Sequence, residues 1–151
     1  MAGKQPKRKE RPGVDRAGRT PLHYAADDGD VARVKELLAT GLDARAADDD
    51  GWTPLHFAAQ KYAAEVVQLL LQAGAAVDPR NAQGNTPLFK AVFNSRGNGD
   101  VIKLLRANGA DPFAKNAHGV SPLKLARTIA NFDVRQFFSD LPEDDAAEPP
   151  A

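Results

Sequence analysis

Cysteine is absent from the 151 residues, which excludes disulfides, thiol catalysis and any cysteine-based zinc or iron–sulfur site. A net charge is absent too. Twenty Lys and Arg stand against twenty Asp and Glu, whereas a dedicated nucleic-acid binder usually carries a basic excess. No run approaches the roughly 18 consecutive apolar residues of a membrane-spanning helix. The basic start, Met1 to Gly13, is not followed by an apolar stretch and does not read as a secretory signal. A cytoplasmic location is therefore expected. Histidine is scarce, with three in the chain, and no Gly-rich phosphate loop, His-Glu-x-x-His or nucleophile elbow occurs. The reading is a non-enzyme, with no cofactor and no metal. Asp48-Asp49-Asp50 lacks the spaced ligands and closing Glu of a calcium loop, so it reads as a solvated or partner-facing patch.

What remains is an ordinary globular composition, 42% hydrophobic and 26% charged, in a chain of one domain's length. The charge sits unevenly. Residues 1–13 hold Lys4, Lys7, Arg8, Lys9 and Arg11 against Glu10, and residues 140–151 hold Asp140, Glu143, Asp144, Asp145 and Glu148 with no base. Both segments are poor in apolar residues and are expected to be disordered tails. The basic one reads as a solubilising tail, with a weak nucleic-acid contact as the alternative.

Between the tails the sequence repeats. Thr20-Pro21-Leu22-His23 returns 33 residues later as Thr53-Pro54-Leu55-His56, and 33 later again as Thr86-Pro87-Leu88-Phe89. A fourth copy, Ser121-Pro122-Leu123-Lys124, follows after 35. Each is preceded two residues earlier by Gly (Gly18, Gly51, Gly84, Gly119) and followed by Ala (Ala25, Ala58, Ala91, Ala126). A second apolar block comes next in three copies, around Val34-Leu38, Val66-Leu71 and Val101-Leu105, each closed by a glycine at Gly41, Gly74 or Gly109. The two extra residues of the third copy fall in Ser95–Asp100, which reads as a neutral length variation, with a loop made mobile by its two glycines and touching the partner as the alternative.

Local chemistry explains the pattern. Pro suits the first helical turn, where its missing N–H is not needed, and Thr or Ser before it is an N-cap. Val31, Val34, Leu37 and Leu38 share one helical stripe. Glycine after the last turn supplies a left-handed residue.

This pattern resembles the ankyrin repeat, with its period of 33 and its Thr-Pro-Leu-His-x-Ala signature, over about residues 15–139. The resemblance implies an all-α solenoid of four helix-turn-helix repeats with β-hairpin-like fingers, at about 15–47, 48–80, 81–115 and 116–139. The fourth departs from the motif, ending in Phe132-Asp133-Val134-Arg135-Gln136-Phe137-Phe138, and reads as a C-terminal cap. His23 and His56 fall at the signature position, whose imidazole is structural.

The resemblance also implies a protein–protein interaction module, monomeric when free, that binds a partner on a concave face built from fingers and first helices. The variable positions around the signature give the candidate contacts: Arg19, Tyr24, Asp27 and Asp28; Asp49, Asp50, Trp52, Phe57, Gln60 and Lys61; Asn85, Lys90 and Phe93. Trp52 is the sole tryptophan, in a slot where the polar Arg19 and Asn85 serve the other copies. Tyr24, Trp52 and Phe57 read as an apolar anchor with an acidic rim. A small protein of this kind is similar to immunity factors that block a toxin enzyme; a scaffold with weak nucleic-acid contact through the basic tail is the alternative.

Overall fold

Four Pro-led segments and three apolar blocks become seven α-helices in the computed structural model, which describes residues 12–142. The helices are α1 (Pro21–Asp28), α2 (Val31–Ala39), α3 (Pro54–Gln60), α4 (Ala64–Gln72), α5 (Pro87–Asn94), α6 (Asp100–Ala107) and α7 (Pro122–Thr128), followed by a 3-10 turn at Arg135–Phe138. Each Pro-led helix starts at its proline. The hydroxyls of Thr53, Thr86 and Ser121 accept the backbone N–H of the third helical residue, satisfying one of the orphan donors at the helix start.

The helices form two layers. The first helices pack in the row α1–α3–α5–α7, the second helices in the row α2–α4–α6, and each pair is closed on itself. Burial follows position in the row. Val66, Val67 and Leu70 of α4, and Val101, Ile102 and Leu105 of α6, are fully buried. In α2, at the end of the array, Val34 and Leu37 are buried while Val31 and Leu38 are only partly covered. One repeat cannot cover its own apolar face and needs a neighbour on each side.

The fingers are tight turns stitched to one another; no strand forms among the described residues. Asp49 N–H donates to the Ala17 carbonyl, Ala82 N–H to Asp50 and Ala117 N–H to Gln83, at 2.8, 2.8 and 2.9 Å. Gly51 is needed at φ +78°, and a Cβ there would stand 2.9 Å from Asn81 Cα. Adjacent fingers therefore approach as closely as backbone allows.

Two expectations are corrected. Ser95–Asp100 is not a free, mobile loop. Ser95 and Gly99 are buried, the Tyr62 hydroxyl donates to the Asn98 carbonyl, and the rings of Phe132 and Phe137 lie against Gly97 and Gly99. The insertion is the seat on which the shortened fourth repeat rests in place of a second helix. The expected acidic tail also begins too early at 140. Arg106 grips both carboxylate oxygens of Asp140 at 2.8 Å and the Phe137 carbonyl at 2.8 Å, and Leu141 packs on the core. The remainder of that tail, 143–151, and residues 1–11 of the basic tail lie outside the described residues.

Candidate partner-binding face

Each finger opens with an Asp or Asn whose side chain organises it. Asp15, Asp48, Asn81 and Asn116 each use Oδ1 to accept two backbone N–H groups, two and four residues ahead, at 2.9–3.1 Å. Such short polar side chains mimic backbone and fix turns. Asp48, at 6% exposure, thus belongs to the scaffold, while Asp49 and Asp50 of the same acidic run are exposed at the finger tip.

The signature histidines tie finger to helix. His23 Nδ1 accepts the Thr20 N–H at 3.0 Å, and its Nε2–H donates to the Trp52 carbonyl at 3.0 Å. His56 repeats this with Thr53 at 3.1 Å and Asn85 at 2.9 Å. Burial lowers the pKa of both, that of His56 to about 4, so both rings are neutral near pH 7. With one nitrogen accepting and the other donating, each ring is fully satisfied, which leaves it as structural glue.

Five of the side chains expected to meet a partner form a continuous row. The Arg19 guanidinium stands 5.9 Å from the Tyr24 ring centre and 5.0 Å from that of Phe57. Phe57 and Trp52 follow at 4.9 Å, and Lys90 Nζ sits 4.6 Å above the Trp52 ring. Three repeats are thereby joined by rings and cations, each cation–ring contact contributing about 0.5–1 kcal/mol where exposed. Arg19 is further held by Asp48, Nε to Oδ2 at 3.1 Å, which raises its pKa.

Access along the row is uneven. Tyr24 is 45% exposed, and its hydroxyl donates to Asp15, which holds that carboxyl below and the phenol above its ordinary range. Trp52, Gln60 and Lys90 are half-buried, and burial lowers the Lys90 pKa. Asp28 is exposed, and Asp27 is half-buried with Lys61 Nζ 3.9 Å away. Phe93, at 66% exposure, is the most exposed large apolar side chain among the described residues. Two candidates are placed differently from the sequence expectation. Phe57 is buried beneath Trp52 and Arg19, so the aromatic anchor presents Tyr24 and Trp52 but not a third free ring. Asn85 is buried, its carbonyl held by His56 and its Oδ1 by Asn116 Nδ2 at 2.9 Å.

Phe132, 44% exposed, was not picked out by sequence because it lies past the last repeat motif. An open groove of about 600 Å³ at the N-terminal end, lined by Val14, Asp15, Arg19, Pro21, Tyr24 and Asp28 among others, was also missed. It lies against α1, the first helix of the row, where Pro21 and Tyr24 occupy the positions that Pro54 and Phe57 hold buried in the second repeat.

A linear stack of helix pairs with fingers along one edge and a side-chain row along one face defines a repeat solenoid built for contact with another molecule. The family model described as ankyrin repeats (3 copies) matches residues 4–81 and 22–116, and the chain belongs to the ankyrin-repeat family. No match was found among the curated proteins compared with it. Ankyrin repeats are generally protein–protein interaction modules and are typically non-catalytic. Among the described residues no helix is long and apolar enough to cross a membrane.

Proposed function

We propose that this chain is a non-catalytic binding module of the cytoplasm, monomeric when free, that grips a protein partner through the face formed by its fingers and first helices. Blocking the partner, as an immunity protein blocks a toxin enzyme, is the form of this role we favour. The observation that carries the reading is the row Tyr24–Arg19–Phe57–Trp52–Lys90. It sets aromatic surface and fixed cations on one face, the combination that dominates interface energetics. Asp28, Asp49 and Asp50, exposed beside it, form the rim that meets basic groups of the partner, with Asp27, Gln60, Lys61 and Phe93 completing the face and the buried Asn85 supporting it from beneath.

The test is a pull-down from the native host with mass spectrometry, using the wild type and a Tyr24→Ala, Trp52→Ala double variant whose helicity is checked by circular dichroism. Loss of the captured protein from a folded double variant is expected. Equal capture by both would show that the partner sits elsewhere.

A further inference from the structure

Position 52 breaks a hydrogen-bonded column that runs through the array. The side chain two residues before each Pro pairs with the finger-opening residue of the next repeat: Arg19 with Asp48 at 3.1 Å, and Asn85 with Asn116 at 2.9 Å. Between these two pairs the same register sets Trp52 against Asn81. Asn81 is buried, its Oδ1 is held by Gln83 N–H and Asn85 N–H, and its Nδ2 is buried with no partner. Indole carries a donor and no acceptor, so it cannot close the pair. A buried polar group left unpaired is destabilising, and such groups in native proteins mark places where another requirement prevails.

The fold takes from residue 52 a backbone carbonyl for His23, which any residue provides, and here also apolar cover over Phe57 and His56; Arg19 and Asn85 show that polar side chains fit the slot in the other repeats. Trp52 also supports Lys90. The ammonium lies over the indole, and among the described residues no carboxylate comes within salt-bridge distance of it, although Arg19, Lys61 and Arg106 all have one. A half-buried cation on an aromatic ring with no carboxylate of its own is complementary to an anion from outside.

We propose, resting on the protein-binding role above, that Trp52 and Lys90 form the specificity centre of the face and together receive an acidic side chain, Asp or Glu, of the partner protein. The apolar neighbour of that acid lies on the indole edge, and its carboxylate pairs with Lys90 Nζ.

The structural half is tested by thermal melting of the full chain. Trp52→Ala and Trp52→Asn both remove the ring, and only the second can pair with Asn81. The Asn variant is expected to melt about 3 °C or more above the Ala variant, with the difference vanishing in an Asn81→Ala background. Equal melting would show that position 52 does not face the Asn81 amide. The binding half uses a phage-displayed library of random linear peptides panned on the full chain, the selected peptides then being synthesised with a fluorescent label and titrated by fluorescence anisotropy, a readout that also serves the Trp52 variants. Selected peptides are expected to share an Asp or Glu beside an apolar residue. Replacing that acid with its amide should weaken binding tenfold or more, an advantage that Lys90→Gln removes.

Selection of sequences without an acid, persistence of the acid's advantage in Lys90→Gln, an equal response to a dT12 oligonucleotide, or failure to select any peptide would each overturn the proposal. Peptide binding that needs Tyr24 and Phe93 but is indifferent to Trp52→Asn and Lys90→Gln would leave the interaction face standing without this centre. Binding indifferent to all four residues would remove the face as well.

Discussion

A neutral imidazole in each of two buried pockets makes stability depend on pH. His56 is held neutral by burial, with its pKa lowered to about 4, and His23 is shifted the same way. In the unfolded chain both protonate near pH 6.5. A depressed folded pKa gives stability that is full above the unfolded value and declines as pH falls through the interval down to the folded one. From pH 7 to pH 5, His56 alone accounts for a loss of about 2 kcal/mol. Urea unfolding at the two pH values checks this. His56→Phe, which places at this position the residue the third copy carries as Phe89, is expected to flatten the dependence; an unchanged slope would place the titrating group elsewhere. Tyr62 is a second residue-scale test. It occupies the left-handed position, φ +59°, that Gly29 fills in the first repeat, a conformation unfavourable for a bulky residue. Its hydroxyl binds the Asn98 carbonyl across the inserted loop. Tyr62→Phe is expected to lower stability by about 1 kcal/mol in the same assay.

At the scale of elements, the repeats read clearly from sequence because their chemistry is local. Pro at a helix start, Thr or Ser before it and Gly after a last turn act within a few residues, and the structure has helices where those signals stand. The finger-opening residues Asp15, Asp48, Asn81 and Asn116 were equally periodic, but their role depends on pairing with the neighbouring finger, and Asp48 was lost within an acidic run. The inserted loop was misread for a similar reason. Two glycines suggest freedom until one knows that Phe132 and Phe137, more than thirty residues on, lie against them. Gly99→Ala tests that contact. Its Cβ would fall 2.2 Å from the Phe137 ring, so the ring must leave its seat, at a cost of about 1–3 kcal/mol. The penalty should shrink in a Phe137→Ala background. Amide exchange is expected to speed up around Val134–Leu141 and little elsewhere; uniform acceleration would mean that this segment does not open on its own.

Across the whole molecule each helix pair leans on the next, so stability is the sum of the pairs and the contacts between them. Leu70, fully buried in α4 with α2 and α6 on either side, is expected to cost about 2–5 kcal/mol on replacement by Ala. Leu38, half-covered at the end of the array, should cost clearly less in the same denaturation assay. The architecture was legible because the period of 33 repeats in register. The site was legible only as a set of slots. Sequence marked positions 19, 24, 52, 57, 85 and 90 as variable, but not that Phe57 and Asn85 would be covered while Tyr24 and Trp52 stayed accessible, since that depends on the residue across the gap between repeats. The central claim, that a protein partner lies on the face of the fingers and first helices, is tested most directly by amide hydrogen exchange of the full chain with and without its purified partner. Protection is expected in residues 15–28, 48–61 and 81–94, with α2, α4 and α6 unchanged; protection centred on the second helices would contradict it.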